Sequence, residues 1–135
     1  MQKPRKPSPT ESPLLIEIDP EPLPEVLTAL GGVPLVVQTF RSLGLALSVR
    51  QHVRVKERDR GYDEATMVES FVILNAVGGE CFDDFQRLRD DPGLSGMIGH
   101  GIPSPEAARQ FLYQFHEEEK IEAAKQRRTG DEIAY

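Results

Sequence analysis

Cysteine, tryptophan and long apolar runs are scarce or missing in this sequence, and each shortage excludes a class of protein. The 135 residues contain no tryptophan and one cysteine, Cys81. A single thiol excludes an intramolecular disulfide and a cysteine-based metal cluster. No run approaches the roughly 18 apolar residues of a membrane span, and the N-terminus lacks the apolar segment of a signal peptide. We therefore expect a cytoplasmic protein without membrane contact.

Basic residues are also fewer than acidic ones, which limits how the chain can bind nucleic acid. There are 22 acidic residues against 16 basic ones, for a formal net charge of −6. Such a molecule repels polyanions as a whole, so any nucleic-acid contact must come from a local basic patch. The histidines His52, His100 and His116 are too far apart in sequence for a helical metal pair.

One apolar segment organises the chain, and we predict a long central helix there, over residues 63–77. Asp63 is suited to cap its first turn, and Gly78-Gly79 to end it. Its apolar stripe, which must be covered on more than one side, comprises Met67, Val68, Phe71, Val72, Leu74 and Val77, widened by Ile73 and Ala76.

The segments before the central helix predict a first layer of the bundle. Residues 25–30 are a short helical candidate closed by Gly31-Gly32, and Pro34 then opens an amphipathic helix. The predicted buried stripe of that helix is Leu35, Val36, Phe40 and Leu43. A further short helix is expected to continue the packing through Leu45, Leu47, Val49 and Val53.

Three further helices are predicted after the central one, followed by a charged extension. Residues 81–89 pack Phe82, Phe85 and Leu88 inward, and residues 94–98 form another short helix. Ser104-Pro105-Glu106 is a strong helix start. The buried stripe that follows is predicted to be Ala107, Ala108, Phe111, Leu112 and Phe115. Residues 117–128 extend as a charged helix that Thr129-Gly130 should break.

Together these patterns predict an all-α protein, a small multi-helix bundle with one core. Residues 1–13 hold four prolines and read as a disordered leader. Residues 14–116 form the helical domain. Residues 117–135 are the charged helix and the start of a linker.

A basic segment interrupts this acidic molecule between residues 50 and 60. Arginine can fork onto phosphate oxygens, so the segment is a candidate for DNA backbone contact. The alternative is a solvated connector of mixed charge. The candidate residues are Arg50, Arg54, Lys56, Arg58 and Arg60.

The helix after Ser104 carries a second candidate surface on the side opposite its apolar stripe. Arginine can read guanine and glutamine can read adenine in a major groove, although any surface helix carries a polar face. The candidate residues are Arg109, Gln110, Tyr113 and Gln114.

Two acidic pairs, Asp83-Asp84 and Asp90-Asp91, suggest either a metal site or helix caps. Their positions at helix starts and in a turn favour caps. We find no nucleophile paired with a base and no glycine-rich phosphate loop, so the residues do not predict an enzyme.

Several short segments, in this order and spacing, resemble the N-terminal region of bacterial insertion-sequence transposases of the DDE class. The resemblance runs from about Leu14 to the C-terminus. The segments are LTALGG (27–32), FRSLGL (40–45), GY (61–62), LNAVGGECFDD (74–84), RLRDDPGL (87–94), PSP (103–105) and FLYQF (111–115).

The resemblance implies a helical region that precedes a ribonuclease-H-like catalytic core. In that family an Asp, Asp, Glu set in the core holds divalent metals such as Mg²⁺ for strand cleavage and transfer. Those acids lie beyond the matched stretch, so we expect no catalytic residue and no cofactor among these 135 residues.

The same resemblance implies a partner, double-stranded DNA at the terminal inverted repeats of a mobile element. It makes the basic segment and the polar helix face the candidate contacts. The alternative is a helical interaction module that pairs transposase subunits as a homodimer, or that inhibits a full-length transposase by mixed assembly.

Overall fold

The computed structural model describes residue 21, residues 24–56 and residues 61–132, with side chains as far as Arg128. The predicted leader over residues 1–13, and Arg58 and Arg60 of the basic segment, lie outside the described residues. Within the described part, no helix has both the length and the apolar character to cross a membrane.

The described chain is helical and contains no strand, which confirms the predicted all-α bundle. Seven α-helices and one 3-10 turn follow one another along the sequence. They are α1 (Val33–Ser42), α2 (Leu45–His52), α3 (Glu64–Ala76), α4 (Asp84–Arg89), α5 (Pro92–Ile98), α6 (Pro105–Tyr113), the 3-10 turn (Gln114–His116) and α7 (Glu118–Glu132).

Helix α3 lies at the centre of the bundle, as predicted. The Asp63 carboxylate caps it by accepting a 2.9 Å hydrogen bond from the Thr66 backbone N–H, and Gly78 follows its end with a φ of 78°. α1 and α2 pack on one part of its surface and α4 on another. Ala76 was predicted to widen the apolar stripe but is exposed, whereas Leu74 is buried and Val77 packs against the core, so the stripe is narrower than predicted at this end.

Aromatic rings tie α3 to the second half of the chain. The ring of Phe71 lies edge-on to that of Phe85 on α4, with centroids 5.1 Å apart, and 6.3 Å from that of Phe111 on α6. Such pairs contribute about 0.5–1.5 kcal/mol beyond the area they bury. The core therefore holds α4 and α6 against the same side of α3.

The predicted buried stripe of α1 is correct for Phe40, half-correct for Val36, which is half-buried, and wrong for Leu35 and Leu43. Val33, Val37 and Phe40 are buried, whereas Leu35 is 75% exposed and Leu43 is exposed as well. Both sets satisfy helical spacing, so the apolar pattern alone does not choose between them. The choice follows from Arg41, which shares the Val33/Val37 side and meets a buried carboxylate on α3.

The short helix predicted over residues 25–30 does not form. The Thr28 hydroxyl instead donates to the Asp91 carboxylate and accepts from the Leu30 N–H at 3.0 Å. A Cβ built at Gly93 would lie 2.8 Å from the Leu27 carbonyl carbon, so this segment runs directly over α5. Tertiary hydrogen bonds thus replace those of a helix only six residues long.

Helix α2 packs less deeply than its leucines predict. No residue of α2 is buried, and Leu47 is 59% exposed, with Leu45 also exposed. Val49 and Val53 are half-buried, and Val53 packs against the core. The predicted packing is correct for the two valines and wrong for the two leucines.

Helix α6 begins as predicted, with the Ser104 hydroxyl accepting from the Ala107 N–H at 3.1 Å. Its buried stripe is narrower than expected. Ala108 and Phe111 are buried, and Ala107 is half-buried. Leu112 on α6 and Phe115 in the 3-10 turn are exposed.

Helix α7 is longer than the sequence suggests. It runs from Glu118 to Glu132, so Thr129-Gly130 does not break it. A glycine inside a helix destabilises the helix by about 1 kcal/mol relative to alanine, and the strong helix formers in the rest of α7 can offset this loss. The helix packs mainly on the 3-10 turn that precedes it.

Candidate nucleic-acid interface

The basic segment around residue 50 contributes side chains to three different environments. Nε of Arg50 lies 3.0 Å from Oδ2 of Asp63, so Arg50 supports the cap of α3. Arg54 is exposed. Lys56 is half-buried and its ammonium donates to the Tyr62 carbonyl. The segment is therefore not one uniform cluster.

The predicted polar face has two halves, Arg109 with Tyr113 and Gln110 with Gln114. One residue of each half donates a hydrogen bond to Glu106. Arg109 Nη1 donates to Oε2 of Glu106 at 2.9 Å, and Gln110 Nε2 donates to Oε1 at 2.9 Å. The Arg109 guanidinium also lies 5.4 Å from the Phe82 ring centroid, a cation–π distance. Tyr113, one turn after Arg109, is exposed.

Gln110 and Gln114, the other half of that face, line a cavity of about 330 Å³ together with Lys56. We call it the Gln114 cavity. Its walls come from the residues before α3 and from α3, α4 and α6. Its lining residues are Lys56, Gly61, Tyr62, Met67, Arg89, Ser104, Ala107, Gln110, Phe111 and Gln114. One residue of the basic segment, Lys56, and two of the polar helix face, Gln110 and Gln114, thus meet in one place.

Arg89 is a member of this cavity that sequence reasoning missed. The sequence explains both Arg87 and Arg89 as cations in the last turn of a short helix. Two residues correspond to about 200° around a helix, so the two side chains leave α4 on opposite sides. Arg89 faces the Gln114 cavity, whereas Arg87 lines a separate cavity with Ala29 and Gly78. Helical phase was the signal that could have singled out Arg89.

A second depression adjoins the Gln114 cavity and shares Gln114 with it. We call it the α7 groove; it has a volume of about 340 Å³. It lies between the extended residues after α2 and helix α7. Its lining residues are His52, Val53, Arg54, Val55, Gln114, Phe115, Lys120, Ile121, Ala124, Lys125, Arg127 and Arg128. The sequence assigned no site to the basic residues of α7.

A buried carboxylate, Glu69, was also missed. Glu69 is 4% exposed on α3 and accepts from Arg41 Nε at 3.0 Å and Nη2 at 2.7 Å. His100 Nε2 lies 2.8 Å from its Oε1. The available signal was that Glu69 is the only charged residue between Glu64 and Val77. None of the three residues of this cluster lines the Gln114 cavity. The cluster instead joins α1 to α3.

The pKa of Glu69 reflects this environment. Desolvation by burial raises the pKa, but hydrogen bonds and charge from Arg41 and His100 outweigh it, so the pKa is lowered below its ordinary value. The Glu69 hydrogen bond in turn raises the pKa of Arg41, against the effect of desolvation. Both shifts favour the ion pair, so the buried carboxylate stays charged.

The acidic pairs are used in capping and turn contacts. Asp91 accepts from the Leu94 N–H at 2.9 Å and caps α5. Asp84 accepts from the backbone N–H groups of Glu80 and Cys81 at 2.8 and 3.1 Å, and these bonds lower its pKa. Asp83 makes no side-chain cap bond, so that part of the capping prediction is wrong. Among described residues, no three His, Cys, Asp or Glu side chains are grouped to hold a metal ion.

Comparison of the chain with protein-family models, with curated proteins and with solved structures found no match.

Proposed function

We propose that this chain is the N-terminal, DNA-binding region of a DDE-class insertion-sequence transposase. In this proposal it binds the terminal inverted repeats of the element in the cytoplasm, during DNA transposition. One observation supports it above the others: two separately predicted candidate sets, represented by Lys56 and by Gln110 and Gln114, line a single cavity with Arg89.

The chemistry of this cavity suits a duplex. Lys56 and Arg89 offer cations for phosphate oxygens, and Arg54 lies exposed two residues before Lys56. The amides of Gln110 and Gln114 can donate and accept at base edges, which is how glutamine recognises adenine. Cations fix the register and amides contribute sequence preference, the usual division of labour in protein–DNA contacts.

Strand cleavage lies outside this proposal for the described residues. It would require the divalent metals of a catalytic core, and we assign no residue of this chain to them. The proposed role is recognition and positioning of DNA ends.

The two arginines of α4 provide a matched test. Arg89→Ala removes a cation from the Gln114 cavity, whereas Arg87→Ala removes the same side chain from the opposite side of the same helix. Both residues are exposed, so neither variant should unfold the protein. Fluorescence anisotropy with labelled inverted-repeat duplexes, repeated over a range of salt concentrations, gives the affinity and its salt slope.

We expect Arg89→Ala to weaken binding several-fold and to reduce the salt slope by about one, the signature of a lost phosphate contact. Arg87→Ala should leave both quantities close to those of the native chain. Equal effects of the two substitutions, or no binding by the native chain at low salt, would refute the proposal.

A second candidate function is subunit pairing, and exposed leucines favour it. Leu35, Leu43, Leu45 and Leu47 are all exposed on α1, α2 and the turn between them. Large exposed apolar side chains that lie this close together in the sequence favour a protein interface. The phenylalanines that could have added to such a surface do not, since Phe40, Phe85 and Phe111 are buried and Phe82 is half-buried.

Light scattering over a range of protein concentrations tests the pairing. If α1 and α2 mediate it, Leu35→Ser with Leu47→Ser should shift the chain towards monomer. Met97→Ser is the control, because Met97 is an exposed apolar residue on α5. A native chain that stays monomeric at every concentration excludes pairing by this region.

A further inference from the structure

The α7 groove combines an apolar floor with a basic rim, and this combination differs from that of the Gln114 cavity. Val53, Val55, Phe115, Ile121 and Ala124 line the floor. Val55 is buried, but Phe115 and Ile121 remain exposed, at 41% and 37%. The folded chain therefore leaves part of this apolar surface in contact with water.

Basic side chains surround that floor. His52 and Arg54 lie on one wall, and Lys120, Lys125, Arg127 and Arg128 lie on the α7 wall, while none of the described lining residues is acidic. Lys120 is paired with Glu117, which directly precedes α7, and Lys125 is paired with Glu122 within α7. Nε of Arg127 donates to the Ala123 carbonyl at 3.2 Å, which leaves its terminal nitrogens to a partner. Arg54 and Arg127 thus offer cations on opposite walls.

A ligand that fits this groove must carry apolar groups for the floor and negative charge for the rim. The surface of a DNA duplex presents phosphates to a protein but no large apolar group that could fill an aliphatic floor. A peptide with leucine or phenylalanine side chains between glutamates or aspartates meets both demands at once. Aliphatic residues dominate the floor, which favours aliphatic side chains over a stacked base.

We propose that the α7 groove is a docking site for an acidic, amphipathic peptide segment of a partner protein. The apolar side chains of the segment lie on Val55, Phe115 and Ile121, and its carboxylates face Arg54 and Arg127. This proposal does not depend on DNA binding at the Gln114 cavity, and it gives the chain a protein partner on an adjacent surface.

The test uses the full chain and a fluorescein-labelled synthetic peptide in which leucines are interspersed with glutamates. Two control peptides carry lysine in place of glutamate, or alanine in place of leucine. We expect the acidic leucine peptide to bind and both controls to bind at least about tenfold more weakly, because each loses one of the two matched properties. Binding of the acidic peptide should weaken as salt is added.

Two substitutions locate the site on the protein. Arg54→Glu should weaken peptide binding about fivefold or more through the rim, and Ile121→Ser about tenfold through the floor. Arg87→Glu is the charge control and Met97→Ser the apolar control, and both should leave peptide binding unchanged. Circular dichroism checks that each variant keeps its helix content. Amide shifts of Phe115 and Ala124 in the native chain give a readout that needs no variant.

No binding of the acidic leucine peptide, or equal binding by native chain, Arg54→Glu and Ile121→Ser, would overturn the proposal. The proposal would also be overturned if single-stranded DNA bound the native chain and this binding were lost in Ile121→Ser, since the groove would then be a nucleic-acid site. An Arg89→Ala variant that loses DNA binding but still binds the peptide would distinguish this inference from the proposed function.

Discussion

The guanidinium of Arg41 holds the carboxylate of Glu69 through two hydrogen bonds, 3.0 Å from Nε and 2.7 Å from Nη2. Nη2 also donates to the Ile98 carbonyl at 2.7 Å, so one side chain of α1 reaches both α3 and the end of α5. His100 reaches the same carboxylate from the loop after α5. Three separate parts of the chain therefore meet at one buried acid.

Removal of that acid should destabilise the fold. Glu69→Ala leaves Arg41 and His100 without their carboxylate partner, and we expect a loss of about 1–3 kcal/mol in the free energy of unfolding. The loss stays below that of a fully buried pair because the Arg41 side chain is partly exposed and can be hydrated. Urea denaturation measures it. Glu80→Ala, at an exposed glutamate, is the control and should change stability by less than about 0.5 kcal/mol.

The free energy of unfolding should decrease at acidic pH, because the folded protein lowers the pKa of both Glu69 and Asp63. For Asp63, desolvation raises the pKa, but hydrogen bonds from Thr66 and the ion pair with Arg50 outweigh it, so the pKa is lowered, as it is for Glu69. A carboxyl with a lowered folded pKa contributes stability that is fully present above its unfolded pKa. That contribution is lost as the pH falls through the folded pKa.

The window for this loss begins near the ordinary values of 4.5 for Glu69 and 3.8 for Asp63 and extends to lower pH. Urea midpoints measured at steps from pH 7 to pH 3 should be flat at first and then decline. Glu69→Gln should start from lower stability and decline less steeply below pH 4.5. An identical decline in both proteins would show that Glu69 does not contribute.

Two glycines of α5 should respond in opposite ways to alanine. A Cβ at Gly93 would lie 2.8 Å from the carbonyl carbon and oxygen of Leu27, which are backbone atoms that cannot easily move. We expect Gly93→Ala to destabilise the protein by about 1–3 kcal/mol. A Cβ at Gly96 meets nothing within 4 Å, so Gly96→Ala should stabilise by about 0.4–1 kcal/mol.

Thermal unfolding followed by circular dichroism measures both alanine variants under identical conditions. Equal melting temperatures for the two would contradict the close approach of residues 24–30 to α5.

Glu106 should oppose DNA binding, if the Gln114 cavity binds DNA as proposed. Its carboxylate holds both Arg109 and Gln110 and adds negative charge beside the cavity. Glu106→Ala should therefore release both side chains and raise the affinity for an inverted-repeat duplex about two- to fivefold at low salt. Anisotropy measures the change, and Glu80→Ala controls for the general effect of removing one negative charge. An equal gain in the control would assign the effect to net charge alone.

The fold was largely predictable because its signals are local. Asp63 and Ser104 cap the helices that the sequence assigns to them, and Pro34 stands at the start of α1. The errors arise where tertiary contacts decide. Residues 24–30 are helical by pattern but bond to Asp91 instead, and the phase of α1 depends on where Glu69 lies in space.

The candidate site was predictable only in part, for the same physical reason. Residue type alone identified Lys56, Gln110 and Gln114, but their meeting in one cavity depends on how α6 packs against the residues before α3. Arg89 had a sufficient local explanation as a cation in the last turn of a helix, so nothing in the sequence required a second role.

The unbroken course of α7 has a mechanical consequence. Its 15 residues correspond to about 22 Å of stiff rod. Each residue added to or removed from that rod would rotate its last turn by about 100° and move it by about 1.5 Å relative to the first. The length of α7 therefore fixes both the distance and the rotation of its last turn relative to the 3-10 turn at its start.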